Sequence, residues 1–216
     1  KTAYEIYQCD WSSDVCSSDL FIFVSPVLGY ILGSAMMVVV AWVFRRASPL
    51  RVDNFFRRAQ LLSAGLYSLG HGGNDAQKTI GIIWLLLIAA GHANAGDHMP
   101  PAWVIWACYL AIGMGTLFGG WRIVKTMGQR ITKLKPVGGF CAETGGAATL
   151  FLATAMGVPV STTHTITGAI FGVGSVRNAS AVRWGLAGNI VLAWIFTIPA
   201  SAFIAAVFYG VSLYVF

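Results

Sequence analysis

The stretch HGGNDAQK, from His71 to Lys78, lies between LLSAGLYSLG at residues 61–70 and TIGIIWLLLIAAG at residues 79–91. Five strongly polar side chains fall inside what otherwise reads as one apolar segment. An ionisable group at the centre of a bilayer costs about 2.5–3.5 kcal/mol on insertion scales. If the flanks are membrane segments, Asp75 and Lys78 mark a functional site at membrane depth. Gly70, Gly72 and Gly73 weaken a helix, while Asn74 and Asp75 are good caps for a new one. The sequence therefore predicts a broken helix, helical to about Leu69 and restarting near Asn74. Counted from an inner end at Ala59, the break lies about 23 Å into the segment, at or past the bilayer midplane.

The composition makes the flanks membrane segments. Hydrophobic residues are 56% of the chain and charged residues only 10%, and the mean hydropathy is +0.70, values natural for a polytopic membrane protein. The expected fold class is all-α. The net charge of +6 is unevenly spread. Residues 1–20 hold Lys1 against Glu5, Asp10, Asp14 and Asp19, so the basic surplus belongs to the rest of the chain. It sits between apolar segments, as in loops that face anionic lipid, and has neither the density nor the aromatic interleaving of a nucleic-acid surface. Nucleic acid is excluded as a partner and membrane lipid is expected. The run DWSSDVCSSDL, from Asp10 to Leu20, is polar and aperiodic, without the basic start or cleavage site of a signal peptide. It resembles translated sequencing-adapter sequence, so residues 1–20 are set aside as a non-native segment. On that reading the native chain is truncated at its N-terminus.

Apolar stretches long enough to span occur at roughly 20–44, 59–90, 101–121 and 184–215. The loop from Arg45 to Arg58, the loop from Arg122 to Lys135 and the turn from Arg177 to Arg183 are basic, whereas GHANAGDHMPP, from Gly91 to Pro101, has no Lys or Arg. The positive-inside bias puts the first three in the cytoplasm and the last outside. Residues 136–176 must then return to the side they enter from. Their middle, GVPVSTT at Gly157–Thr163, carries the breakers Gly157 and Pro159 between arms near 138–156 and 162–175. The expected structure is a helical hairpin, either re-entrant or made of two full spans with a short outer turn. The pairs Gly115/Gly119 and Gly168/Gly172 read as close helix packing, and Pro199 as a kink in the last helix.

Two polar constellations carry chemistry. The GGND stretch offers an Asn amide, a carboxylate and freed carbonyls suited to a cation or proton. Ser161, Thr162 and Thr163 offer adjacent hydroxyls at the start of a helical arm, suited to an oxyanion. The same hydroxyls also suit a helix cap bonded back to the backbone. His71 and His164 lack a helical-spaced partner, so no metal site is expected.

The motifs GHGGNDAQKTIG at Gly70–Gly81 and PVSTTHTITG at Pro159–Gly168, in this order and followed through ETGG at Glu143, GVG at Gly172 and RWGL at Arg183, resemble the PiT family of inorganic phosphate transporters, above all its bacterial low-affinity branch. The resemblance covers essentially all of 21–216. It implies secondary active transport of inorganic phosphate by a multi-pass protein of the bacterial inner membrane, built from two inverted repeats with interrupted helices. Residues 21–216 then form the C-terminal half, with the missing N-terminal repeat as partner and a homodimer as a further assembly.

Carried onto this chain, the resemblance makes Ser161, Thr162 and Thr163 substrate contacts. Asn74, Asp75 and Lys78 become coupling-ion residues, and Gln77, Glu143 and His164 supporting ones. No catalytic residue and no cofactor is implied beyond the coupling ion, a proton or sodium. The substrate is free phosphate or a magnesium phosphate complex. Lys78, at i+4 from Asn74, is a fixed ammonium that could replace one bound cation and leave a proton as coupling ion; the alternative has it snorkel to the outer interface. Two other functions are weighed. A transporter or channel for another oxyanion such as sulfate shares the architecture. An intramembrane hydrolase with Ser161, His164 and Asp75 as a triad lacks a nucleophile elbow.

Overall fold

The structure is a computed structural model that describes residues 11–94, 96, 99–158 and 160–215. The breaker Pro159 and the outer-loop residues Asp97 and His98 lie outside the described residues. Among the described residues six α-helices follow in order: α1 (Trp11–Val43), α2 (Pro49–Ala89), α3 (Ala102–Lys125), α4 (Pro136–Ala155), α5 (Thr162–Asn178) and α6 (Trp184–Val215). A π-helical turn at Thr126–Ile131 extends α3, and a 3₁₀ turn at Ala179–Ala181 joins α5 to α6. Segments of α1, α3 and α6 are long and apolar enough to cross a membrane.

Three expectations need correction, one being the loop placed at Arg122–Lys135, where α3 runs on to Lys125 and the π-helical turn to Ile131. The break between Leu69 and Asn74 is not there: α2 runs unbroken through Gly70, Gly72 and Gly73 for 41 residues. The physical reason is that Asn74 and Asp75 do not turn back to cap their own backbone. Their side chains reach across to neighbouring helices, and a continuous α2 is what holds them there. Gly70 is buried where a side chain would press on Leu150. The stretch Arg45–Arg58 is also not all loop, because α2 starts at Pro49, the favoured residue for a first helical position. Arg51, Arg57 and Arg58 therefore sit on its first turns.

The hairpin is present as expected, with arms α4 and α5 and a turn in which Gly157 takes φ +69, a conformation that favours glycine. It forms the centre of the fold. On one side α1 lies against α5 and α4; on the other α2 lies along α4. Contact with α1 is backbone to backbone. A Cβ added at Gly168 or Gly172 would run into the carbonyls of Pro26 or Tyr30, and one at Gly145 would come within 2.7 Å of the Gly33 nitrogen. The Gly168/Gly172 spacing thus packs against Pro26 and Tyr30 of α1, while Gly29 and Gly33 of α1 lie against Thr165 and Ala169 of α5, the close approach that small residues permit in lipid. Gly115 and Gly119 on α3 face open space instead. At the inner end Phe56 packs edge-on against Phe44, Phe55 and Phe140, with ring centroids 5.0–5.1 Å apart. α6 is largely exposed.

Candidate functional site at the hairpin tip

Along α2, Gln60, Ser63, Tyr67, His71, Asn74 and Lys78 recur every three or four residues and so share a face. That face meets the hairpin. Its outer part forms one polar cluster with the tip. Thr162 Oγ1 donates to Asp75 Oδ2 at 3.1 Å. Lys78 Nζ lies 3.3 Å from Asp75 Oδ1 and donates to the Val160 carbonyl at 2.7 Å. His71 Nδ1 stands 3.7 Å from Asp75 Oδ2, and the Tyr67 hydroxyl donates to the Thr162 carbonyl at 3.1 Å. Asn74 is buried; its Nδ2 reaches Thr154 Oγ1 at 3.5 Å, while its Oδ1 accepts from no described residue. Such an orphaned acceptor is rare in a folded interior.

The Lys78–Val160 bond also fixes the depth of the tip. α2 continues for eleven residues beyond Lys78 to Ala89, about 17 Å at 1.5 Å per residue, through the apolar run TIGIIWLLLIA. The tip therefore lies about three turns of α2 short of that helix's end, as a re-entrant hairpin requires. Non-helical backbone at that depth requires protein partners or a wet cavity. Lys78, Tyr67 and the Ser161 cap supply the partners.

The three hydroxyls of the STT run part ways. Ser161 is the N-cap of α5, its Oγ accepting from the His164 backbone N–H at 3.4 Å. Thr162 is buried against Asp75. Thr163 is exposed and lines a cavity of about 990 Å³ between α2 and α3, together with Tyr67, Ser68, His71 and Thr79. The open Gly115 and Gly119 line its other wall. Gln77 is exposed and bonds to no described residue. The His164 ring stacks on Trp194 of α6, with centroids 3.6 Å apart. Ser161, His164 and Asp75 are therefore not assembled as a triad.

Glu143 belongs to a second cluster nearer the inner end. Ser63 Oγ donates to its Oε2 at 2.5 Å and Gln60 Nε2 to its Oε1 at 3.4 Å. Ser63 precedes Asp75 by twelve residues, about 18 Å of helix. The glycines around Glu143 make the space: a Cβ at Gly139 would strike Gln60, and one at Gly146 would lie 3.0 Å from the Tyr67 ring. Gln60, Ser63, Tyr67 and Thr154 escaped the sequence reading because each stands alone in an apolar context. The signal that could have found the first three is their helical register with Asn74 and Lys78.

With this geometry in hand, comparison with known proteins is direct. The chain matches the Phosphate transporter family over residues 2–205, a match that begins within the segment set aside as foreign. It is 60% identical over 188 residues to a probable low-affinity inorganic phosphate transporter of Rhizobium meliloti (strain 1021), covering 87% of this chain and 56% of that protein. The counterpart in Bacillus subtilis (strain 168) is 42% identical over 189 residues, with the same coverage. The chain thus spans little more than half the length of these relatives. A solved structure, the sodium-dependent phosphate transporter, superposes with a TM-score of 0.76 at 23% identity, over 88% of this chain and 64% of that one, a likeness of fold. A multi-pass helical membrane protein with this extent of match has one classification: the chain belongs to the phosphate transporter family.

Proposed function

We propose that the chain supplies the C-terminal half of a secondary transporter that moves inorganic phosphate across the bacterial inner membrane. The unit is read as residues 21–216 on the composition of the first twenty residues, with the family match reaching back to residue 2. The observation that carries this reading is the Thr162–Asp75 hydrogen bond, which ties the oxyanion motif to the carboxylate motif at the tip of a re-entrant hairpin. Phosphate is held by the Ser161–Thr163 segment, with Thr163 reaching it from the large cavity. The coupling ion is served by Asn74, Asp75 and Lys78, with Asn74 Oδ1 a hydrogen-bond acceptor left open beside the carboxylate. Phosphate uptake into proteoliposomes by the intact protein, with sulfate as competitor and with and without magnesium, tests the reading. Saturable uptake that sulfate does not displace and Thr162→Val weakens is expected; competition by sulfate at equal concentration would transfer the site to oxyanions at large.

Coupling to protons is the finer part of the proposal. The Lys78 ammonium takes a carboxylate oxygen and a backbone carbonyl, the two kinds of oxygen that a bound sodium ion would use. With a fixed cation there, a proton is the mobile charge that remains. Glu143, hydrogen-bonded between α2 and α4, supports the helix pair from the inner side.

A further inference from the structure

At the opposite end of the hairpin a second cavity, about 590 Å³, opens on the inner face. It is lined by four cationic side chains, Lys133 and Lys135 from the segment before α4, Arg177 from the last turn of α5 and Arg183 from just before α6, and among the described residues by no acidic one. We propose that this cavity is a binding site for a phosphate-bearing anion at the cytoplasmic surface, separate from the transport site.

Basic residues on an inner loop are expected for topology alone. Orientation, however, requires only that the charges lie on one side. It does not require that they converge on a framed cavity, and these do. The floor is rigid: Ile131 is fully buried, its carbonyl accepts the Arg183 backbone N–H at 3.1 Å, and Gly174 lets α5 close on Thr132 and Val182. Among the described residues none of the four cationic side chains makes an ion pair or a hydrogen bond. Of the acids toward the inner side, Glu143 is hydrogen-bonded to Ser63 and Gln60, and Asp53 pairs with Arg57. Four unpartnered cations around one concavity repel one another, and an anion between them removes that cost. The amino end of α4 opens beside the cavity, its N-cap Lys135 offering no side-chain acceptor to the first-turn amides. The volume suits a headgroup or small ligand. Arg forks and Lys ammonium groups together are the usual phosphate-binding set.

Two sources supply this chemistry, an anionic lipid headgroup and free cytoplasmic phosphate, and the test separates them. Native mass spectrometry is applied to the intact protein released from phosphatidylcholine nanodiscs. One arm adds inorganic phosphate; the other replaces part of the lipid with phosphatidylglycerol in phosphate-free buffer. In at least one arm a bound adduct is expected that Thr162→Ala retains. The double variant Lys133→Gln with Arg183→Gln should weaken it about thirtyfold, the effect of removing two near-surface cations. The charge-keeping pair Lys133→Arg with Arg183→Lys should retain it. If the double variant does not fold, Arg183→Gln alone must weaken the adduct about fivefold. No adduct in either arm, an adduct indifferent to the neutral variants, or one lost equally in the charge-keeping pair would overturn the proposal. Retention in Thr162→Ala keeps this outcome distinct from failure of the transport site.

Discussion

Lys78 of α2 donates a 2.7 Å hydrogen bond to the carbonyl of Val160, so a side chain near the middle of a long helix holds the turn of a hairpin more than eighty residues away. The bond satisfies a backbone acceptor with no helical partner and gives the ammonium a second oxygen besides Asp75. Removing it acts on both. Lys78→Asn should cut phosphate uptake at least about tenfold, in line with a charged hydrogen bond, or leave an uptake that now requires sodium. Proteoliposome flux under imposed proton and sodium gradients reads the result. Sodium dependence in the unsubstituted protein would return Lys78 to a purely anchoring role.

Thr162 separates donor chemistry from packing. Thr162→Ser keeps the hydroxyl facing Asp75 and should preserve most uptake. Thr162→Val keeps the shape and leaves a half-buried carboxylate oxygen short of a donor, a loss of about 1 kcal/mol. Protein level in the membrane should be unchanged for the serine variant, and phosphate affinity should fall only for the valine one. Equal behaviour of the two variants would leave the hydroxyl without a role.

The two glycine pairs give opposite expectations. Gly168→Ala forces a methyl into the Pro26 carbonyl and should destabilise by about 1–3 kcal/mol or more, the range for overpacked interiors. Gly115→Ala and Gly119→Ala meet open space and should leave the thermal midpoint in detergent within about a degree of wild type, as for neutral surface changes. If Gly168→Ala is as stable as Gly115→Ala, the α1–α5 contact is not the tight one described.

Depth of the tip is tested by labelling. Cysteines placed at Asn94 and Arg46 should react with an impermeant maleimide from opposite faces of the membrane. One at Met156, beside the turn, should resist the reagent from outside, because the tip ends about 17 Å short of the end of α2. Ready outside labelling at Met156 would make the hairpin two full spans.

The helices were legible because apolar length and the placement of arginines are one-dimensional signals. Both arms of the hairpin fell within three residues of their sequence reading, since Gly157 and the Lys135–Pro136 start are local punctuation. The broken helix was misread for a reason of the opposite kind. Asn74 and Asp75 favour caps in isolation, and only the positions of Thr154 and Thr162, more than seventy residues on, show that their side chains are engaged elsewhere. At the site, the motif residues Thr162, Asp75 and Lys78 were legible and come together. Gln77 does not join them, and Tyr67 and Ser63 needed the α2–α4 contact to be seen.

The unbroken α2 also has a mechanical meaning. A rod of 41 residues is about 61 Å long, twice the hydrocarbon thickness, so its arginine-bearing start projects toward the cytosol while its middle grips the tip. A continuous helix of this length can tilt as one body. From Pro49 to Asn74 the arm is about 38 Å, and a swing of about 10° displaces the Pro49 end by about 7 Å. Small rearrangements at the carboxylate can be magnified at the inner mouth, leaving the turn at Gly157 as the place where the backbone yields.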